Sequence, residues 1–258
     1  MKYGFIGCGN MGGAIARGLS QATQDILVTD RSGKARVLAR ELGISYGTVS
    51  EVAACDRIFL GVKPHMMQEV LEPLQGVLAE KKPLLITMAA GLEISKIEAF
   101  AGTKLPVLRI MPNTPVNLGS GMIVYATDKV NEEEENEFLQ AFKQAGLFDK
   151  IEEGFIDAAG ALSGCGPAFA YAFARALAKG AEEFGIPQDK ANIYAAQTLL
   201  GAGEMLLAYK DPDALIKAVC SPGGTTLAGM KALEDGKFEK IATSAVEAAY
   251  ARTLELKK

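Results

Sequence analysis

The chain has 258 residues, with 27 Lys and Arg against 31 Asp and Glu, for a net charge of −4. Apolar residues (49%) and charged residues (22%) lie near globular averages. This excludes a disordered or collagen-like chain, and the acidic balance excludes a basic nucleic-acid binder. No run of about 18 apolar residues marks a transmembrane helix. The N-terminal residues enter a folded motif at once and show no signal-peptide h-region, so the expected setting is the cytoplasm, with no membrane partner. Alanine is unevenly spread, 15 in residues 1–157 and 24 in residues 158–258. Ala favours helices and is poor in strands. The expected fold is therefore α/β over residues 1–154 and all-helical over residues 155–258.

In chain order, residues 3–6 read as a strand, followed directly by Gly7-Cys8-Gly9-Asn10-Met11-Gly12 and a helix at Ala14–Leu19. This is G-x-G-x-x-G between strand and helix. Gly7 permits the tight turn, Gly9 lets backbone approach a pyrophosphate, and Gly12 lets helix and strand pack closely. The helix start, with Asn10 and Met11, points free N–H groups and a positive dipole end at the phosphates. A second strand, Ile26–Thr29, ends at Asp30, where a ribose contact belongs in a Rossmann-type domain. The next residues point two ways. Asp30 favours the 2′-OH of NADH, whereas Arg31 and Ser32 suit the 2′-phosphate of NADPH or form a solvated turn and helix cap.

Arg57–Val62 is a buried strand, Pro64 opens a helix, and Met66–Leu74 continues it. Leu84–Met88 is another strand, ending in Ala89-Ala90-Gly91. Those small residues lie at a strand's carboxyl end, where open parallel sheets bind ligands. Leu105–Ile110 is a further strand, and Met111-Pro112-Asn113-Thr114-Pro115 follows. Its two prolines predict a fixed loop outside helix and sheet, with Asn113 or Thr114 facing a ligand or merely connecting. Gly121–Ala126 reads as a strand. Asn131 caps a helix through Gln144 whose Glu132–Glu135 run suits the dipole, and Leu147–Ile151 closes the domain. His65 has no evident partner and reads as structural ahead of general acid. With one His and the scattered Cys8, Cys55, Cys165 and Cys220, no metal site is expected and the thiols are free.

The second part is helical. Ala158–Ala161 and Ala168–Phe184 are interrupted by Gly164-Cys165-Gly166-Pro167. Pro187 opens a helix through Tyr209 whose small residues allow close approach, and Asp211-Pro212 starts another. So much apolar helix in about 100 residues suggests a dimer interface. The loop Cys220-Ser221-Pro222-Gly223-Gly224-Thr225-Thr226 runs straight into a helix at Leu227–Leu233. It displays backbone N–H groups and hydroxyls fit for a small carboxylate, or it is a capping turn with Thr225 or Thr226 as the cap.

These pieces resemble the pyrroline-5-carboxylate reductase family over the whole length. The matching stretches are Phe5–Gly12, Gly61-Val62-Lys63-Pro64, Ala89–Gly91, Arg109–Pro115, Leu162–Ala168 and Ser221–Thr226. Cys165 departs from the family's usual Ser, and Asp30 from a neutral residue before Arg31. The resemblance implies hydride transfer from NADPH, or NADH, to the C=N carbon of 1-pyrroline-5-carboxylate, giving L-proline. It implies a Rossmann domain and a helical domain that interlocks two subunits, with decamers of five dimers known in the family. Gly7, Gly9, Asn10, Met11, Gly12, Asp30, Arg31, Ser32, Val62, Lys63, Pro64, Ala89, Ala90, Gly91 and Asn113 would hold the cofactor. Gly223, Gly224, Thr225 and Thr226 would bind substrate, with Ser221 and Thr226 as the catalytic hydroxyls. One rival is a β-hydroxyacid dehydrogenase, but the lysine that class places four residues after its Gly-x-Gly is Ala170 here. Another is a non-catalytic NAD(P)-binding regulator, which would need no rigid anion loop.

Overall fold

The computed structural model describes residues 2–256, leaving Met1, Lys257 and Lys258 outside the described residues. The chain divides into two compact units. One comprises residues up to Gly164 with the stretch from Ala249 onward, and the other is Cys165–Ala248.

The first unit holds one eight-stranded sheet: β1 (Tyr3–Ile6), β2 (Ile26–Thr29), β3 (Ser45–Tyr46), β4 (Arg57–Leu60), β5 (Leu84–Thr87), β6 (Val107–Pro112), β7 (Gly121–Asp128) and β8 (Gly146–Lys150). The strand order is β3-β2-β1-β4-β5-β6-β7-β8. All neighbours are parallel except β6 and β7. The order reverses between β1 and β4, the switch point at which doubly wound sheets open a crevice at their carboxyl ends. The helices are α1 (Asn10–Ser20), α2 (Lys34–Leu42), α3 (Val49–Ala53), α4 (Met67–Leu71), α5 (Gln75–Lys81), α6 (Ile94–Ala101), α7 (Glu132–Ala141) and α8 (Ile156–Ser163).

Strand alternation sorts the core onto two faces. Phe5, Val28, Phe59, Ile86 and Leu108 lie in one cluster with Leu19 of α1 and Phe138 of α7. Ile6, Leu27, Ile58, Leu85 and Val107 lie in the other with Met67, Leu78 and Ile97. Both faces are covered, so β1, β2, β4 and β5 are buried at every residue. The Phe5 and Phe59 rings stack at 4.4 Å between centroids.

Three local expectations change. The helix expected through Leu74 stops at Leu71, because Pro73 cannot donate, and Glu72–Leu74 tightens to a 3₁₀ turn. Met111 and Pro112, expected outside the sheet, extend β6 and pair with Val124 and Ile123. β5 pairs no further than Arg109, so one side of β6 is open there and a missing N–H is tolerated. The Asn131 helix forms with a full capping box to Glu134 but ends at Ala141, short of Gln144. Strand β3 and helices α2, α3, α5 and α6 complete the pattern in stretches the sequence reading passed over.

The compact division falls after Gly164. Helix α8, read from composition as the opening of the helical part, therefore packs within the first unit against β6 and β7. A Cβ on Gly160 would stand 3.0 Å from Met111 Cγ, which shows how tightly it does so.

The remaining helices are α9 (Gly166–Glu182), α10 (Gln188–Tyr209), α11 (Pro212–Val219), α12 (Thr225–Asp235) and α13 (Phe238–Glu255). Pro187 caps α10, and the Asp211 side chain accepts from Ala214 N at the start of α11. The core of the second unit is small: Ala178, Ala191 and Ala195, with Ala174, Ala181 and Ile186 against them. Tyr171, Ile193, Leu207, Val219 and Ile241 are each more than 60% exposed on the single chain. Among the described residues no helix is long and apolar enough to cross a membrane, and no cluster of His, Cys, Asp or Glu could hold a metal ion.

Candidate active site

Three glycines converge on one carbonyl at the carboxyl end of β1. Gly7 has φ +97°, and its N–H donates to Thr29 O at 2.8 Å. A Cβ on Gly12 or on Gly61 would lie 2.3 Å from Gly7 O, so neither position admits a side chain. Gly9 differs. It is the N-cap of α1 with no side-chain cap, has an ordinary extended conformation, and a Cβ there meets nothing within 4 Å. The turn is packed from below and open above, over the uncapped N–H groups of α1. That cradle fits a dinucleotide pyrophosphate. Gly9→Ala is therefore expected to leave folding stability within ~0.5 kcal/mol while weakening nucleotide binding about tenfold. Chemical unfolding beside a nucleotide fluorescence titration checks both parts, and equal loss of stability and binding would contradict the open-cradle reading. Cys8 beside it is buried. Burial first, and the Asp30 carboxylate second, push its thiol up to about 12, so it is a packing residue rather than a redox group.

At the end of β2, Asp30 closes its own turn. One carboxylate oxygen accepts from Ser32 Oγ at 2.7 Å and the other from Gly33 N at 3.0 Å. Gly33, at φ +80°, then leads into α2. Arg31 turns outward and makes a two-pronged ion pair with Glu69 of α4, at 2.9 and 3.3 Å. Glu69 had no signal in the sequence beyond one more acidic residue on a helix.

Val62, Lys63 and Pro64 follow β4. Lys63 is exposed, and Pro64 opens the 3₁₀ turn that carries the exposed His65. Ala89, Ala90 and Gly91 follow β5. Gly91 takes φ +74°, and its N–H donates to Asp157 Oδ1 at 3.2 Å. The same oxygen accepts from Arg109 Nη2 at 2.6 Å. Glu153 Oε1 accepts from Arg109 Nη1 at 3.2 Å and from Ile94 N at 2.6 Å. Arg109 and Asp157 are buried. A charged network thus ties the β5–α6 loop to β6 and α8, and the sequence reading missed its carboxylates.

Asn113 is also buried, and its amide is engaged at both ends. Nδ2 donates to Ser163 O at 2.9 Å, and Oδ1 accepts from Met122 N at 2.9 Å. Its side chain braces the loop from within.

In the second unit, α11 ends at Val219, with Cys220 as its C-cap, and α12 begins at Thr225. Between them Gly224 N donates to Ser221 O at 2.9 Å, and Gly223 takes φ +69°. The N-cap is Gly224, with no side-chain cap, so neither Thr225 nor Thr226 is the cap. A Cβ on Gly224 would crowd Ser221 Oγ, which accounts for the glycine. Ser221, Gly223, Thr225 and Thr226 are exposed on the single chain. The turn offers uncapped helical N–H groups and three hydroxyls on one short segment, the composition of a small-anion site.

Comparison with known proteins agrees with this layout. Residues 153–256 match the model described as pyrroline-5-carboxylate reductase dimerisation, and residues 2–91 match NADP oxidoreductase coenzyme F420-dependent. Pyrroline-5-carboxylate reductase 3 of Danio rerio is 38% identical over 99% of this chain and 91% of its own. The chain belongs to the pyrroline-5-carboxylate reductase family. The reductase of Aquifex aeolicus (strain VF5) is 36% identical over 93% of this chain and 91% of its own. The crystal structure of Plasmodium falciparum pyrroline carboxylate reductase with NADP bound superposes with a TM-score of 0.89, at 31% identity, covering 100% of this chain and 98% of that one. The likeness spans both the glycine cradle and the Ser221–Thr226 turn, and it sets aside the hydroxyacid dehydrogenase reading.

Proposed function

We propose that this chain is an NAD(P)H-dependent pyrroline-5-carboxylate reductase that converts 1-pyrroline-5-carboxylate to L-proline, the last step of proline biosynthesis. The observation that carries the reading is relationship to such reductases over almost the whole chain, with both anion cradles inside the matched region. Residues 1–154 serve as the dinucleotide-binding domain and residues 155–258 as the substrate-binding and dimerisation domain.

Gly9, Asn10, Met11 and Gly12 hold the pyrophosphate through backbone N–H groups, and Gly7, whose own N–H is taken by Thr29 O, makes the turn that presents them. Asp30, Arg31 and Ser32 meet the ribose end. Val62, Lys63, Pro64, Ala89, Ala90 and Gly91 line the rest of the crevice, with Asn113 shaping it from behind. When bound, the reduced nicotinamide supplies the hydride. The backbone N–H groups of Gly223, Thr225 and Thr226 hold the substrate carboxylate with help from Ser221, Gly224 shapes the turn with its N–H on Ser221 O, and the Thr226 hydroxyl faces the ring nitrogen. A protonated C=N is already electrophilic, so orientation is the protein's main task. NADPH is the expected reductant, with NADH accepted, because Asp30 is engaged with Ser32 and Gly33 and does not bar a 2′-phosphate by itself.

The exposed apolar side chains of the second unit, set against a core of three buried alanines, support a homodimer, which larger rings of five dimers would extend. The cytoplasm is the proposed setting. The reading is tested by initial rates with NADPH and with NADH, on pyrroline-5-carboxylate and on a panel of 3-hydroxy acids with the oxidised cofactors. Turnover of the imine alone is expected. Turnover of a hydroxy acid alone, or of no substrate, would overturn the assignment.

A further inference from the structure

The glycine cradle gives affinity for any dinucleotide, so preference between NADPH and NADH must be set at the ribose end. Strands β2 and β4 flank β1 on opposite sides, and all three run parallel. The segments leaving β2 and β4 therefore border the crevice at the carboxyl end of β1. Arg31 stands two residues beyond β2, and Glu69 belongs to α4, which follows β4. Their ion pair thus joins the two borders of the crevice. Both side chains are well exposed, at 60% and 67%. Nothing buries the pair, so its partners can exchange.

Arginine just past the second strand is the group that accommodates a 2′-phosphate, by two parallel N–H···O bonds. A carboxylate presents the same two-oxygen edge. Glu69 already takes that edge, with Oε1 on Nη1 and Oε2 on Nη2. A 2′-phosphate approaching Arg31 must displace Glu69 and stay close to its negative charge. A 2′-OH needs neither change.

We propose that Glu69 is a specificity-determining residue: by occupying the Arg31 guanidinium it lowers the affinity for 2′-phosphorylated nucleotides and narrows the preference for NADPH over NADH. The inference rests on the cofactor role proposed for Arg31. No sequence motif marks Glu69, because its effect comes only from where α4 places it. The neighbouring Glu72 of the same acidic stretch instead accepts from Gln68 at 2.6 Å. It serves as a control for loss of a nearby charge.

The test uses the full-length protein and two probes that need no catalysis, 2′,5′-ADP and 5′-AMP, titrated calorimetrically. Wild-type binding of either probe establishes the nucleotide site whether or not pyrroline-5-carboxylate is the substrate. Glu69→Gln is expected to tighten 2′,5′-ADP about fivefold and to leave 5′-AMP within about twofold. Glu72→Gln should change neither. In an Arg31→Ala background the Glu69→Gln gain should largely disappear, since the guanidinium it frees is gone. A raised salt concentration should shrink the gain in the Arg31 protein. Equal effects of Glu69→Gln on the two probes, no effect on either, or a gain that survives in Arg31→Ala would each overturn the proposal.

Discussion

Asp157→Ala is expected to lower the unfolding free energy by about 3–5 kcal/mol, the range for leaving one half of a buried ion pair uncompensated. The Arg109 side chain is 1% exposed and that of Asp157 3%, with 2.6 Å between Nη2 and Oδ1. Removing the carboxylate strands a guanidinium in a dry interior and takes the acceptor from Gly91 N–H as well. Glu153 still accepts from Nη1, at 3.2 Å, but its side chain is 31% exposed, and water screens it. Asp157→Asn keeps an oxygen acceptor for Gly91 without the charge, and it should fall between the two. Denaturant midpoints of the three proteins check the order. A loss below about 1 kcal/mol in Asp157→Ala would mean that Glu153 alone neutralises Arg109. The damage should also reach function, since the network holds the Ala89–Gly91 segment at the crevice. Weaker nucleotide binding in Asp157→Asn, at temperatures where it stays folded, is the expected sign.

Much of the first unit was legible because its signals are local. Gly7 to Gly12 needs only neighbours in sequence to specify its turn, and the β1, β2 and β4 runs are apolar but for Thr29 at the end of one and Arg57 at the start of another. Asn131 and Glu134 carry a capping box in four letters. The Ser221–Thr226 turn was legible for the same reason, though its cap proved to be Gly224. What the sequence could not show depends on partners far along the chain. Asp157 reads as an ordinary acidic residue in a helix's first turn, and only the sheet places it against Arg109, 48 residues away. Glu69 and Arg31 meet across 38 residues. Pro112 misled because a proline's cost in a strand depends on whether a neighbour needs its N–H, and the end of β5 decides that. Asn113 looked like a ligand group because a polar residue between prolines gives no hint that Ser163 and Met122 take its amide.

Thr226→Ala is expected to lower turnover about 10- to 100-fold while nucleotide affinity stays near that of the parent. The size is that of one hydrogen bond to a charged group, about 1.5–3 kcal/mol, at about 1.4 kcal/mol per factor of ten. The fold gives little reason for the hydroxyl. Thr226 is the second residue of α12, it is exposed, and the helix is capped by Gly224 without help from any side chain. Stability should therefore move by no more than ~0.5 kcal/mol. Thr226→Ser restores the hydroxyl on a smaller side chain and should recover most of the rate. The pattern to look for is a fall in kcat in Thr226→Ala, rescue in Thr226→Ser, and nucleotide titrations unchanged in both. Ser221→Ala should differ in kind. The role proposed for its hydroxyl is to bind the carboxylate, which is present before and after hydride transfer, so its loss should raise KM more than it lowers kcat. Unchanged steady-state kinetics in Thr226→Ala would remove Thr226 from the reacting atoms and leave the turn as a carboxylate clamp built from backbone N–H groups.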